Sequence, residues 1–259
     1  MPSGALDTQL HRHIIDVLFA EYEANPPPHE AAELAGGVSM RLVGLSWGLY
    51  AQVNRHAKAA VLLSDGGMAR EAHVHLRVAL EHAIYLHWVV EQGDAGVDAM
   101  MAAQAVSVRK SVKTAHEAAV VLPPDVDREL NATSAPIDES KAVRQFRKVC
   151  EDLGLLELYF IYGVESGFVH PSLVTINAYA EGPSKLTTEP QPGLDRGTPL
   201  LLAQCLIWAR RDLDRLLPGR SDAVGIDALA QSIDSRLLPP YRPAPAAAPA
   251  GRRSRRSRK

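Results

Sequence analysis

The sequence predicts an all-α fold: a multi-helix bundle, mostly antiparallel, ending in a disordered C-terminal tail. Three observations carry this expectation. Apolar residues return with a helical period in one segment after another, and no convincing strand interrupts them. Hydrophobic residues make up 46% of the 259 but aromatics only 5%, a balance that favours helices packed through Ala and Leu over a β-sandwich. Two separated stretches carry polar or aromatic residues every fourth position, which places each set along one helix face.

The elements follow in order. Residues 6–22 form a first amphipathic helix with Leu10, Ile14, Val17 and Leu18 on one side, and Asn25-Pro26-Pro27-Pro28 makes a stiff connector after it. Residues 38–63 form a longer helix, with Leu42, Leu45, Leu49, Val53, Ala60 and Leu63 in period. Gly44 and Gly48 within it are expected to admit a close neighbour. The break Ser64-Asp65-Gly66-Gly67 makes the second and third helices antiparallel neighbours. The third, 68–91, packs through Ala72, Leu76, Ala79, Leu80, Ala83 and Ile84. A fourth helix spans 95–121 and stops at Pro123-Pro124, and a short helical piece follows at 125–130. After a loop at 131–136, Asp138 or Ser140 caps a helix that ends near Leu153. Residues 155–170 form the next helix, which Pro171 ends or kinks at His170. Ser172 caps a short helix reaching Glu181. Residues 182–199 are a flexible polar connector, 200–217 a strong helix, and 222–238 a last amphipathic helix with Ile226, Leu229, Ile233 and Leu237 on one face. Residues 1–238 are thus read as one helical domain and 239–259 as a disordered tail, Pro/Ala-rich and then basic.

The formal net charge of −2 conceals an asymmetry. The tail 252–259 holds six cations (Arg252, Arg253, Arg255, Arg256, Arg258 and Lys259), which leaves an acidic body. Such a body does not attract nucleic acid over its whole surface, although the tail can contact RNA or DNA through phosphates, or act as a solubilising end. Without interleaved aromatics it would not read bases. Cys150 and Cys205 are isolated thiols beside apolar residues, which fits a reducing compartment and no structural zinc. With neither a signal-peptide pattern nor a long apolar run, the cytoplasm is the expected location.

The two stripes are His73, Arg77, Glu81 and Tyr85, and Tyr162, Ser166 and His170. Should their faces meet, an apolar bundle holds an Arg, a Glu, a Ser and a His in one place. The R-x-x-x-E spacing of Arg77 and Glu81, in a helix after a Gly break, and the later Y-x-x-x-S-x-x-x-H run from Tyr162 to His170 resemble an uncharacterised all-helical bacterial family, domain of unknown function 5677. The resemblance covers roughly residues 38–217. It implies a helical bundle in which Arg77, Glu81, Ser166 and His170 converge, and it brings no established activity.

Two readings of the cluster compete. In one it is a site. Arg77 binds a phosphate or carboxylate in a fork, Glu81 orients Arg77 or His170, and Ser166 lies one turn from His170, which acts as general acid or base. His73, Tyr85 and Tyr162 line the site as binding residues. In the other it is a structural network: Arg77 and Glu81 are an i,i+4 pair, Ser166 bonds the carbonyl four residues back, and His170 caps its helix. The leading expectation is a cytoplasmic binding or regulatory protein with an intra-bundle pocket for an anionic small ligand or RNA. Family analogy adds a role in bacterial stress or phage defence.

The alternative is a metal-independent RNase of HEPN type, marked by an Arg followed by His after four to six residues. Arg70/His75, Arg77/His82 and Arg109/His116 have that spacing, about as many as chance supplies in so Arg-rich a chain. A third reading is a structural interaction protein that docks or oligomerises through the 222–238 helix. No cofactor is expected. Neither is a metal: His73 and His75, two apart, point away from each other on a helix. His11, His13, His29 and His56 read as surface or boundary residues.

Overall fold

The computed structural model describes residues 3–28, 34–121, 123–125, 128, 145–173, 177–180, 185, 187, 190, 198–217 and 225–233. The helices among them are α1 (Ser3–Ala24), α2 (Met40–Asp65), α3 (Ala69–Gln92), α4 (Asp94–Glu117), α5 (Phe146–Leu153), α6 (Leu156–Val169), α7 (Thr198–Leu216) and α8 (Ile226–Ser232). The tail and the predicted loop at 131–136 with its caps Asp138 and Ser140 lie outside the described residues, as do His29 and most of the 182–199 connector.

Each boundary has a local cause. Ser39 accepts a hydrogen bond from Leu42 N–H at 3.1 Å and so caps α2. It also donates to Asp94, in the first turn of α4. Three helices stop in the same way: a left-handed residue lets the last two amide N–H groups turn back onto open carbonyls. In α2 the residue is Gly67, in α5 Gly154, and in α4 Ala119 at φ 55°. Ala119 corrects the expectation for the fourth helix, which closes at Glu117 rather than continuing to residue 121. Met68 N–H to Leu63 O, 2.8 Å, completes the α2 stop, and the chain re-enters α3 at once. Gly96 allows the tight α3–α4 corner, since a Cβ there would stand 2.9 Å from Gln92 Cβ. After Ser172 the chain is helical at Leu173 and at Asn177, but the helix stops short of Glu181: residues 178–179 form a turn, Ala180 is an isolated bridge, and Tyr179 O accepts from Thr187 N–H.

α3 sits in the middle and packs against α2, α4, α5, α6 and α7. Ala72, Leu76, Ala79, Leu80, Ala83 and Ile84 are all buried in it. Ile14, Ile15 and Leu18 of α1, Val53 and Ala57 of α2, and Leu202, Leu206 and Ile207 of α7 complete the core. In α1 it is Ile15, not Leu10, that joins Ile14 and Leu18 inside. Gly44 and Gly48 lie on the exposed side of α2 and admit no close neighbour among the described residues, contrary to expectation. In α8, Ile226 and Ala230, with Ile233 just after it, are buried, and the helix packs on α7. Among the described residues, no helix is long and apolar enough to cross a membrane.

Candidate functional site

α3 carries three sets of polar side chains because it has neighbours on several sides. His73, Arg77, Glu81 and Tyr85 advance about 40° at each four-residue step and form one drifting stripe. His75 and His82 point elsewhere, toward α2. His87 and Glu91, near the C-terminal end, meet α7.

The first stripe faces α6 and α5. Arg77 Nε donates to Ser166 Oγ at 3.0 Å and Nη2 donates to the Tyr162 hydroxyl at 2.5 Å. The guanidinium also lies over the Tyr162 ring, 4.7 Å from its centroid. Glu81 Oε2 stands 3.5 Å from Nη2. Ser166 in turn donates to Tyr162 O at 2.8 Å, the back-bond expected of a helical Ser. Tyr162 is braced by Phe146 of α5, ring centroids 4.3 Å apart. Tyr85 packs on the same Phe146 ring at 5.6 Å, and burial, with Glu81 close by, pushes its phenol pKa up.

One turn toward the N-terminus of α3, His73 Nδ1 lies within hydrogen-bond distance of Glu165 Oε2, 2.6 Å away, both groups buried. Phe168 stacks on the His73 ring at 4.5 Å, and the Arg70 guanidinium lies over the same Phe168 ring, 5.5 Å from its centroid. Cys205 of α7 lies near Glu165. Burial, reinforced by that carboxylate, pushes its thiol up to about 12. Cys150 is likewise pushed up to about 12, by burial and then by Glu151 and Glu157. Neither thiol is a reactive thiolate near neutral pH.

These contacts fix an antiparallel register. Arg77 lies level with Tyr162 and Ser166, and Arg70 level with Phe168. His170 therefore falls opposite the first turn of α3, roughly 9 Å along the axis from the level of Arg77. It is exposed and caps α6 through its own N–H to Ser166 O at 3.0 Å, with the extended backbone (φ −87°, ψ 153°) that Pro171 imposes. The seam thus gathers Arg77, Glu81, Tyr162 and Ser166, buries His73 against Glu165, and sets His170 at its rim. Glu165, absent from the sequence reading, is a neighbour of Ser166 in sequence but not in period.

On the opposite side of α3, His56 Nδ1 and His75 Nδ1 are 3.0 Å apart and His82 stacks on His56 at 5.8 Å. His56 is thus a member of a three-imidazole group rather than a mere boundary residue. Burial, then His82, His75 and Arg55, lowers its pKa. His82 Nδ1 is 2.8 Å from Val78 O. The spacing Arg77/His82 is consequently split between two seams, Arg77 toward α6 and His82 toward α2. Among the described residues, no three His, Cys, Asp or Glu side chains form a group that could hold a metal ion.

Two more polar nodes lie on α7, whose circumference is almost wholly buried. Arg210 pairs with Glu21 of α1 at 2.8 Å and with Asp214. Tyr50 of α2 donates to Glu21 at 3.3 Å. His87 meets Asp212 at 2.9 Å, and Arg215 bridges to Glu91 at 2.5 Å. Burial raises the Asp212 pKa against the opposing pull of His87 and Arg215. A helix without a wet face must pair its charges internally, and the i,i+4 spacing of Arg210 and Asp214 was the available signal.

A family model described as a family of unknown function, DUF5677, matches residues 44–185. No curated protein and no solved structure matches the chain. The match takes in α3, α6 and the seam between them, and it covers more than half of the sequence. The chain belongs to this family.

Proposed function

We propose that this protein is a binding or regulatory helical protein, and that the α3–α6 seam takes a small anionic ligand on Arg77. One observation carries the reading. The guanidinium is held on Nε and Nη2 by Ser166 and Tyr162, Nη1 has no hydrogen-bond partner among the described residues, and 18% of the side chain remains in contact with solvent. A fork already oriented by neutral partners loses little freedom when a carboxylate or phosphate arrives. Glu81 at 3.5 Å is farther than a strong charge-assisted bond, roughly 2.7–2.9 Å, and is the group such a ligand would displace. A part in bacterial stress or phage defence belongs to this reading by family analogy alone, and a cytoplasmic setting by the isolated thiols and the lack of a signal-peptide pattern in the sequence.

The test is thermal stability with inorganic phosphate, citrate and nucleotides, beside the Arg77→Ala variant. A ligand at 100 times its dissociation constant adds about 2.7 kcal/mol to the folded form. A shift present in the native chain and absent in the variant supports the site, and no shift with any of these anions sinks it. The RNase reading draws less support, because Arg77 and His82 face different helices. Cleavage of tRNA under chelation, lost in His82→Ala, would reinstate it. The structural-partner reading is weakened by α8, whose described apolar face is occupied by α7.

A further inference from the structure

The contacts of Arg77, His73, His87 and Arg210 each set a basic group against oxygen. His56 and His75 instead set two bases against each other. Their Nδ1 atoms are 3.0 Å apart and their ring centroids 5.2 Å. The second distance is close to the first plus one ring radius at each end, so both nitrogens lie near the line joining the rings. Two nitrogens that face head-on at this range need an atom between them. Here it is one hydrogen, carried by one ring and accepted by the other. The pair spans two elements, since His56 belongs to α2 and His75 to α3, and these helices pack against each other. Both rings are only half-buried and within reach of solvent.

We infer that His56 and His75 bind a singly charged, two-coordinate metal ion of the Cu(I) or Ag(I) class in a linear Nδ1–metal–Nδ1 bridge between α2 and α3. Direction decides the class. With metal–imidazole bonds of about 2 Å, a linear ion holds its two nitrogens about 4 Å apart on one line. The pair reaches that spacing by opening about 1 Å, without turning either lone pair. A tetrahedral or square ion needs lone pairs that meet at an angle, and further ligands around it. Among the described residues, no three His, Cys, Asp or Glu side chains supply such a group. The third imidazole is engaged elsewhere: His82 gives its Nδ1 hydrogen to Val78 O and stacks on the His56 ring. Charge points the same way. The His56 ring is partly desolvated and Arg55 is a neighbouring cation, so one positive charge is easier to place here than two. The same surroundings lower the His56 pKa, which limits competition from protons. Binding releases no proton, because the ring that carried hydrogen on Nδ1 carries it on Nε2 once both metal–Nδ1 bonds have formed.

The experiment sets the full chain against a Cu(I)-selective chelating dye under anaerobic, reducing conditions, followed by X-ray absorption at the copper edge. The native chain is expected to withdraw one Cu(I) ion, held by two nitrogen scatterers at about 2 Å and by no sulfur. His56→Gln and His75→Gln are each expected to weaken binding by more than the roughly 10–100-fold that loss of an outer-shell partner brings. His116→Gln, at the end of α4, should bind as the native chain does. Nitrogen NMR of the native chain with Ag(I) gives a reading independent of any variant: the Nδ1 signals of two histidines should move. A native chain that takes no Cu(I) from the dye overturns the proposal. So does native affinity in either glutamine variant at 56 or 75, or movement of Nε2 signals alone. A spectrum with sulfur ligands, which would place the ion on Cys or Met side chains, or with four ligands, overturns it as well.

Discussion

Glu165→Ala would take from the buried His73 ring its hydrogen-bond partner on α6. The side chains are 4% and 10% exposed, the Phe168 ring stacks on His73, and the neutral Cys205 thiol lies near Glu165. A hydrogen bond to a charged group contributes about 1.5–3 kcal/mol, and breaking a buried pair from one side costs about 3–5 kcal/mol because the remaining group stays desolvated. The apolar shell argues for the overlap of these ranges, about 3 kcal/mol. With a urea slope of about 3 kcal/mol/M for a chain of this size, the unfolding midpoint falls by about 1 M. Glu165→Gln keeps an acceptor in place and should lose less than half as much. The double replacement His73→Leu with Glu165→Leu removes both polar groups and should return to within about 1 kcal/mol of the native chain. Urea unfolding followed by circular dichroism reads all four proteins. A Glu165→Ala variant within 0.5 kcal/mol of native, roughly the scale of a neutral surface change, would show that this pair does not hold α6 to α3. A double variant worse than either single would refute the desolvation argument.

Arg77→Lys should behave like Arg77→Ala in anion binding, because an ammonium cannot hold Ser166 and Tyr162 while offering a further donor in the same plane; isothermal titration with whichever anion stabilises the native chain decides this. Arg210→Met should cost about 3–5 kcal/mol by leaving Glu21 and Asp214 buried without their cation, measured by the same urea unfolding. The lowered pKa of His56 gives a pH signature. The unfolded chain takes up this proton first, near the ordinary value of 6.5, so the stabilisation is complete above that pH. It is lost as pH falls from there to the lower folded-state value. His56→Gln should flatten the stability profile over that window, and an unchanged slope would assign the dependence to other groups.

The fold was readable because most core positions repeat every three or four residues, and the α3 face from Ala72 to Ile84 was found whole. The α4 stop was not, because Ala119 adopts a conformation that sequence habitually signals with glycine. For the seam, Arg77, Tyr162 and Ser166 announced themselves through four-residue spacing, but the register of α3 on α6 is a property of packing, and it is the register that moves His170 to the rim. His56 lies 19 residues from His75 across a hairpin, and no period within one helix relates them. The α7 charges were overlooked since a helix covered on all sides shows no polar stripe.

The placement of α3 has a dynamic consequence. A rod gripped by five other helices releases its amide protons to solvent only when the whole molecule opens, whereas α6, with one side in water, can lift away in a smaller excursion. Hydrogen exchange should therefore find slow amides around Leu76–Ile84 and faster ones around Phe160–Val164. The cleft holding Arg77 would then have one fixed jaw and one hinged jaw, and whatever enters it would do so by displacing α6.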